Sequence, residues 1–354
     1  MKKHNFYAGP SILSEYTIKN TAAAVENFAG MGLSLLEISH RSKEFVAVND
    51  EARALIKELL DVPAGYEVVF MGGGASMQFC MVPYNLLNKK ASYLDTGTWA
   101  SNAIKEAKLF GEVDVVASSK DKNYTYIPKG YAIADDSDYF HFTSNNTIYG
   151  TEMRKDPDVK QRLVCDMSSD IFSRPIDISK YDIIYAGAQK NMGIAGLGVA
   201  IIREDLLQDV AKTTPVLLDY KLMIKNVSMY NTPPAYAIYV LGLVLEWIDS
   251  LGGLEVMKER NEKKAKLVYD YLDQSTFYKA HSDKENRSLM NVTFTTPNKD
   301  LDAKFVKESI EAGMTNLKGH RSVGGIRASI YNAMPYEGVE KLVAFMKEFE
   351  ENNR

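Results

Sequence analysis

Short apolar runs that alternate with helix-like segments constrain the fold of this chain more than any other feature. Seven such runs follow Glu67, each bounded by small or polar turn residues, and each has the length of a buried strand. They are residues 68–71, 92–94, 113–117, 139–142, 163–165, 183–186 and 199–202. Strands that alternate with helices form a mainly parallel sheet, because a parallel connection needs a long crossover. We therefore predict an α/β fold, with a mainly parallel sheet covered by helices on both faces.

The segments on either side of these runs complete the predicted architecture. Apolar positions with helical spacing predict helices over residues 14–29, 43–60, 234–251 and 255–273. A small α+β domain is predicted from a strand at 290–294, a helix at 301–312, a strand at 325–330 and a closing helix at 338–350. We place the large domain at residues 15–260, and the small domain at residues 1–14 and 261–354.

Composition excludes several classes of function. The chain has 354 residues, of which 45% are hydrophobic, with a net charge of -4 and no run of Lys or Arg, so we expect no nucleic-acid partner. The longest apolar stretch, near residues 236–245, is too short to span a bilayer, and we expect a cytoplasmic protein without membrane association. Cys80 and Cys165 lie in apolar segments and are predicted to be buried thiols. Without a Cys/His cluster, no metal site is expected.

The run at residues 181–187 leads into a glutamine and a lysine, Gln189 and Lys190, set among small residues. An isolated lysine is ordinarily a surface residue. At the carboxyl end of a buried strand, however, desolvation would lower the lysine pKa and make a neutral, nucleophilic amine available. Ligands of open α/β sheets bind beyond the carboxyl ends of the strands, so the residues after the other runs decide between these interpretations.

Four of those positions carry groups that a ligand could use. Residues 72–76 are a glycine-rich turn that opens a helix, an arrangement that binds phosphate but also simply reverses a chain. Trp99 could stack on a planar ring or belong to the core. Thr147 lies in a polar cluster that could be only a turn. Asp166 ends a buried run and needs a cationic or donor partner.

Together these groups match the needs of one cofactor class. An aldehyde of the pyridoxal phosphate type needs a lysine for its Schiff base, a carboxylate on the ring nitrogen, an aromatic side chain against the ring and a phosphate site. Lys190, Asp166, Trp99 and residues 74–76 supply one of each. The Asn231-Thr232-Pro233-Pro234 segment is either a helix start or part of a phosphate site, in this subunit or in a neighbouring one.

These motifs resemble the phosphoserine aminotransferase family, a class V branch of the fold type I pyridoxal phosphate enzymes. Matching motifs extend over essentially the whole chain, at residues 6–10, 37–41, 72–76, 173–177, 184–191, 231–234, 318–321 and 324–333. The resemblance implies a homodimer with active sites at the subunit interface. It also implies amino-group transfer between L-glutamate and 3-phosphohydroxypyruvate.

The resemblance assigns roles around the cofactor ring. It implies that Lys190 forms the Schiff base, with Gln189 beside it in the cofactor site. Asp166 would hold the pyridine nitrogen, Trp99 would stack on the ring, and Thr147 would contact the side of the ring that carries its oxygen. These roles come from the matching motif positions.

The cofactor phosphate is assigned in the same way to Ala75 and Ser76, and to Asn231 and Thr232 of the neighbouring subunit. Some relatives carry an arginine beside the glycine-rich turn, and this chain has Ser76 there. The substrate phosphate would then be bound by one cation fewer, which affects affinity more than the reaction itself.

The substrate anions are assigned to five basic residues. Guanidinium groups bind carboxylate and phosphate through paired hydrogen bonds. The resemblance implies that Arg327 binds the α-carboxylate. His40, Arg41, His320 and Arg321 would bind the substrate phosphate or the glutamate side chain, the last two across the interface.

Three alternatives remain open at the level of sequence. Another class V enzyme, such as a serine or alanine transaminase acting with glyoxylate, would use unphosphorylated substrates. A non-catalytic nucleotide-binding module would use only the glycine-rich turn. Some members of the family also aminate a phosphorylated keto acid of vitamin B6 synthesis.

Overall fold

The computed structural model describes residues 3–207 and 215–354. Fourteen strands are formed by these residues. They are β1 His4–Asn5, β2 Tyr66–Gly72, β3 Lys90–Asp95, β4 Glu112–Ser118, β5 Tyr139–Thr143, β6 Asn145–Asn146, β7 Thr151–Glu152, β8 Arg162–Asp166, β9 Ile183–Gly187, β10 Leu197–Arg203, β11 Lys279–Ala280, β12 Asn291–Thr295, β13 Met314–Thr315 and β14 Ile326–Ser329.

The central sheet contains all seven of the predicted apolar runs. Its strand order is β2-β10-β9-β8-β5-β3-β4. Strand β10 is antiparallel to both of its neighbours, β2 and β9, while the pairings among β9, β8, β5, β3 and β4 are parallel. Six strands therefore run in one direction, and their carboxyl ends meet at one edge of the sheet. The predicted α/β class is confirmed.

Nine α-helices lie within the described residues. They are α1 Glu15–Glu26, α2 Lys43–Leu59, α3 Gly74–Leu86, α4 Thr98–Ala107, α5 Tyr220–Lys225, α6 Ala235–Ser250, α7 Gly253–Gln274, α8 Lys299–Glu311 and α9 Tyr336–Asn353.

Helices cover both faces of the central sheet, because its strands are apolar on both sides. On one face, α2 and α6 pack against side chains such as Phe70 and Ile184. On the other face, α3, α4 and α5 pack against side chains that include Val69, Tyr93 and Tyr185. These two layers hold the carboxyl edge of the sheet rigid.

A second, smaller core forms the α+β part of the chain. The sheet β11-β12-β14 packs with α7, α8 and α9 around residues such as Phe294 and Phe305. The chain start joins this part, since β1 pairs with β13 and Phe6 belongs to the same core. The predicted small α+β domain is confirmed.

Two local expectations differ from the structure. Helix α1 ends at Glu26 and not near residue 29, because Asn27 is extended (φ -157°, ψ 93°) and the chain then enters a short 3₁₀ segment in which Ala29 adopts φ 49°. Cys165 is buried as predicted, but Cys80 is only partly buried. The predicted burial of Cys80 was wrong because its side chain lies on a partly exposed side of α3. Its Sγ lies 3.5 Å from Glu106 Oε2 there.

Over the described ranges, 3–207 and 215–354, no helix taken singly has both the length and the apolar character needed to cross a membrane. Helices α6 and α7 pass that test only as a pair, on length and composition, and a bend of 84° separates them.

Leu241, in α6, should contribute strongly to the stability of the fold. This side chain is fully buried between α2 and the central sheet. We expect Leu241→Ala to lower the free energy of unfolding by about 2–5 kcal/mol, because it removes buried methyl groups and leaves a cavity. Urea unfolding followed by circular dichroism measures this change.

Leu109→Ala provides the matched control, since Leu109 is 75% exposed. Its effect should stay within about 0.5 kcal/mol. Equal losses in the two variants would contradict the assignment of Leu241 to the core.

Candidate active site

The carboxyl edge of the central sheet gathers the predicted site residues. Strand β3 leads through Gly97 into the helix that carries Trp99. Thr147 follows β5 and β6, Asp166 is the last residue of β8, and Lys190 lies just after β9. Because these strands are parallel, residues far apart in sequence reach the same edge.

Lys190 is partly buried in this edge and makes two side-chain contacts. Its Nζ donates a hydrogen bond to Thr147 Oγ1 at 2.7 Å and lies 5.8 Å from the centre of the Trp99 ring. Ser11 holds the main chain at residues 189 and 190. Its N donates to Gln189 O at 2.9 Å, and its Oγ donates to Lys190 O. The amine is thus fixed between a hydroxyl and an aromatic face.

Burial and, to a smaller extent, the charge of Arg327 lower the pKa of Lys190, while Asp166, and Asp170 where it is ionised, raise it. The net effect places the pKa of Lys190 at about 8. A sizeable fraction of the amine is therefore neutral near physiological pH. The interpretation of Lys190 as a solvated surface lysine is excluded by its contacts and burial.

Asp166 is buried, and its carboxylate is held by one neighbour. Oδ1 accepts hydrogen bonds from Ser168 N at 3.0 Å and Ser168 Oγ at 2.6 Å. Burial raises the pKa of Asp166, while Ser168 and the Lys190 charge act in the opposite direction. A cation placed against Asp166 would complete its charge balance.

Ser168 is a site residue whose role was missed at the level of sequence. Besides binding Asp166, its Oγ accepts a hydrogen bond from Gly187 N at 3.1 Å, which ties the ends of β8 and β9 together. The available signal was a serine two residues after an aspartate at a strand end, a spacing typical of a local turn around the carboxylate.

Two buried polar atoms near Lys190 have no partner among the described residues. They are Trp99 Nε1 and Gln189 Oε1. Buried donors and acceptors are nearly always satisfied, so unpaired ones near the lysine suit a ligand with polar groups around a flat ring. Trp99 lies in the first turn of α4, in the position predicted from the sequence.

The glycine-rich turn forms an open helix N-terminus. Gly73 adopts φ 91°, and α3 begins at Gly74 without a side-chain cap. Neighbouring backbone is packed closely here, since a Cβ on Gly198 would lie 2.9 Å from Gly74 O. Ser76 is exposed and Ala75 partly exposed in the first turn. Free N–H groups and the helix dipole favour an anion at this point.

Three basic residues of the small domain lie close to one another. Arg327 NH1 lies 3.5 Å from Thr147 O, and burial lowers the pKa of Arg327. Burial also lowers the pKa of His320, with further contributions from the charges of Arg327 and Arg321. Of the predicted cations, Arg327 lies beside Thr147, and the charges of Arg327 and Arg321 both act on His320.

The remaining four predicted residues are not joined to this cluster within the subunit. Asn231, Thr232 and Arg41 are exposed, and His40 is partly exposed with its buried Nε2 unpaired among the described residues. Within residues 3–207 and 215–354, no hydrogen bond or ion pair links any of the four to Lys190 or Asp166. Over the same ranges, no group of three or more His, Cys, Asp or Glu residues could hold a metal ion.

Known proteins share this sequence pattern and architecture. The family model described as aminotransferase class-V matches residues 4–342. A phosphoserine aminotransferase of Parabacteroides distasonis is 74% identical, with all of both chains covered.

Solved structures agree with this match. The phosphoserine aminotransferase of Bacillus circulans subsp. alkalophilus has a TM-score of 0.98 at 46% identity, covering 100% of this chain and 99% of the other. A pyridoxal-phosphate-bound phosphoserine aminotransferase of Trichomonas vaginalis has a TM-score of 0.94 at 40% identity, covering 98% and 100%. The predicted fold type I architecture is confirmed by these likenesses, and the chain belongs to the class-V aminotransferase family.

Proposed function

We propose that this chain is a pyridoxal-phosphate-dependent transaminase that moves the amino group between L-glutamate and 3-phosphohydroxypyruvate, giving O-phospho-L-serine and 2-oxoglutarate. The observation that carries this proposal is the Lys190 amine, which has a lowered pKa and is held between the Thr147 hydroxyl and the Trp99 ring. The names of the relatives support the choice of substrates.

The residues present fit the cofactor. The open N-terminus of α3 would hold the cofactor phosphate, and the buried Asp166 carboxylate would hold the ring nitrogen. The unpaired Trp99 Nε1 and Gln189 Oε1 would face the flat ring and its polar substituents. When bound, pyridoxal phosphate supplies an aldehyde that condenses with amines and a protonated ring that accepts an electron pair.

Within the chain, each side chain has a definite task. With the cofactor bound, the Lys190 amine would take the α-proton from the substrate amino acid and return a proton to complete the transfer. Asp166, ionised, would favour a protonated ring nitrogen through its opposite charge. Thr147 and Trp99 hold the amine in one orientation. Less conformational freedom is then lost when the amine reacts.

Substrate selection rests on the basic residues. In this proposal Arg327 binds the α-carboxylate, which its position next to Thr147 allows. His40, Arg41, His320 and Arg321 bind the substrate phosphate or the glutamate side chain. Ser76 adds a hydroxyl but no charge, so these cations carry the phosphate selectivity.

The proposed assembly is a homodimer. Asn231, Thr232 and Arg321 are exposed, so a second subunit could take them into its own site. Large apolar side chains are also exposed near these segments and near the glycine-rich turn, namely Leu33, Leu36, Met77 and Tyr230. Burying such a surface would favour association.

Three further assignments belong to the same proposal. The large domain comprises residues 15–260, and the small domain residues 1–14 and 261–354, with residues 1–2 and 208–214 outside the described residues. The protein acts in the cytoplasm. It also serves vitamin B6 synthesis if it accepts the related phosphorylated keto acid, which a turnover assay with that acid decides.

Removing the Lys190 amine should abolish the reaction. We expect Lys190→Ala to lose the visible absorbance of the bound cofactor and all repeated turnover with glutamate and 3-phosphohydroxypyruvate, because it removes the amine that would bind the cofactor covalently. Absorbance spectra recorded before and after each substrate is added measure both losses.

Lys258→Ala, on the exposed side of α7, is the control and should keep both the absorbance and the turnover. A coloured, active Lys190→Ala protein would refute the assignment, whereas a colourless wild-type protein would favour the nucleotide-binding alternative.

The reactivity of the Lys190 amine should depend on pH with a midpoint near 8. Only the neutral amine reacts with an acylating reagent, so labelling of Lys190 rises as the pH passes upward through its pKa. Arg327→Met should move this midpoint upward, since it removes a positive charge that disfavours protonation. Competitive acylation of the cofactor-free protein, followed by mass spectrometry, gives both midpoints, with the Lys258 peptide correcting for reagent decay. A midpoint unmoved by Arg327→Met would contradict the electrostatic coupling.

Arg321 should discriminate between phosphorylated and unphosphorylated keto acids. We expect Arg321→Ala to lower kcat/KM for 3-phosphohydroxypyruvate about tenfold to hundredfold, the effect of one charged hydrogen bond, and to leave hydroxypyruvate turnover nearly unchanged. Steady-state assays with both acids measure the ratio. Arg354→Ala, on the exposed chain end, is the control. Equal rates of the wild-type protein with both acids would instead favour a transaminase for unphosphorylated substrates.

Mixed dimers test whether Arg321 acts across the interface. Lys190→Ala and Arg321→Ala subunits, unfolded and refolded together, would form hybrids with one intact site if Arg321 serves the partner. Activity should then exceed that of either variant refolded alone. No gain would place Arg321 in the site of its own subunit.

A further inference from the structure

Asp170 lies in the turn after β8, four residues beyond Asp166, and is only 2% exposed. Its Oδ1 and Ser144 Oγ form a short hydrogen bond. Ser144 also donates from its main-chain N to Asp166 O at 3.0 Å, and its Oγ lies 3.2 Å from the same oxygen. Ser144 therefore connects the Asp170 carboxyl to the main chain of the residue assigned to the cofactor ring.

The other oxygen of Asp170 lacks a hydrogen bond. Oδ2 has no such partner among the described residues, and its ion pair with Arg174 is 3.9 Å long, beyond hydrogen-bonding distance. Arg174 is shared with a second buried carboxyl, Glu152, which also accepts a hydrogen bond from Leu289 N at 2.7 Å and faces the charge of Arg154. Two buried carboxyls thus compete for the same guanidinium.

Such a pair is expected to hold one proton between them. Burial raises the pKa of both Asp170 and Glu152, and the negative charge of Glu152 raises the pKa of Asp170 further. Glu152 has the better partners for a negative charge, with Leu289 N and two guanidinium groups. The proton therefore belongs on Asp170, where an ionised carboxylate would leave Oδ2 uncompensated.

The surroundings of Asp170 act on its pKa in both directions. Burial, the largest effect, and the charges of Glu152 and Asp166 raise it, whereas the Arg174 charge and the hydrogen bond with Ser144 lower it. The Asp170 charge in turn acts on Lys190, Cys165 and Tyr331.

The hydrogen-bond arrangement depends on the form of Asp170. Ser144 has a single hydroxyl proton. A neutral Asp170 donates to Ser144 Oγ, which leaves the hydroxyl proton free for Asp166 O. An ionised Asp170 takes that proton for itself, and Asp166 O keeps only the bond from Ser144 N. A continuous chain from Asp170 to the Asp166 main chain exists only with the neutral acid.

We propose that Asp170 is a positioning residue that works as a neutral acid, donating to Ser144 and so fixing the main chain at Asp166 without adding negative charge beside it. Asp166 is then the carboxyl that stays ionised for the ring nitrogen. The protonation of Asp170 is a property of the protein alone, whereas its effect on cofactor binding rests on the proposed function.

Infrared spectroscopy tests the protonation on the cofactor-free protein. The carboxylic-acid stretch of a buried neutral acid should be present below neutral pH and disappear at alkaline pH. Asp170→Asn should remove this band, whereas Glu152→Gln should keep it at acidic pH but move its loss to lower pH, because the negative charge that favours the neutral acid is gone. A band that survives in Asp170→Asn, or no such band in the wild-type protein, would overturn the proposal whatever reaction the enzyme catalyses.

Cofactor affinity tests the positioning role. Asp170→Asn keeps a neutral donor, so its Kd for pyridoxal phosphate should stay within about twofold of the wild-type value, while Asp170→Ala should bind about tenfold more weakly. Ser144→Ala should show the same loss, and the double variant with Asp170→Ala should lose no more than either single variant, because one connected chain is broken in each. A loss in Asp170→Asn as large as in Asp170→Ala would show that the charge matters and would overturn the proposal. If no variant, including the wild-type protein, binds the cofactor, the proposed function fails while the infrared result stands.

Discussion

The burial of one amine next to one carboxyl is the constraint on which the site of this protein depends. Lys190 and Asp166 both lose hydration at the carboxyl edge of the central sheet, and each affects the pKa of the other. Neither residue would be tolerated there alone, because an unpaired buried charge is costly. Ser168 and Thr147 offset that cost with hydrogen bonds of 2.6 and 2.7 Å. The packing layers on both faces of the sheet keep this arrangement from relaxing into solvent.

The small α+β part is attached to that edge by buried polar contacts. Asn145 donates to Asn291 Oδ1 at 2.8 Å, and Asn332 N donates to Asn191 Oδ1 at 3.1 Å, one residue from Lys190. Lys264 donates to Ile330 O and Tyr331 O, at the end of the strand that carries Arg327. Directional bonds of this kind fix the relative position of two cores more strictly than apolar contact does. They place Arg327 against Thr147.

Much of this could be predicted from the sequence, because the signals were local. Apolar runs gave the strands of the central sheet, and the glycine-rich turn at residues 72–76 gave the start of α3. The end of α1 was less predictable, since the left-handed conformation of Ala29 has no side-chain signature. The apolar neighbours of Cys80 in the sequence predicted a buried thiol. How much of this side chain is buried depends on how α3 packs against α4, which carries Glu106, and the sequence of α3 alone does not contain that information.

The sequence by itself determined the α/β class and the kinds of chemical group that follow each strand, because strand propensity and residue type are properties of short segments. Only the tertiary structure decided that the amine of Lys190 lies between Thr147 and Trp99, that Ser168 binds the Asp166 carboxylate, and that Ser144 connects Asp170 to the Asp166 main chain. These relations depend on strand order and burial. The distance between residues 147 and 190, or between residues 144 and 170, is set by how separate strands pair and pack, and a one-dimensional pattern does not contain that information.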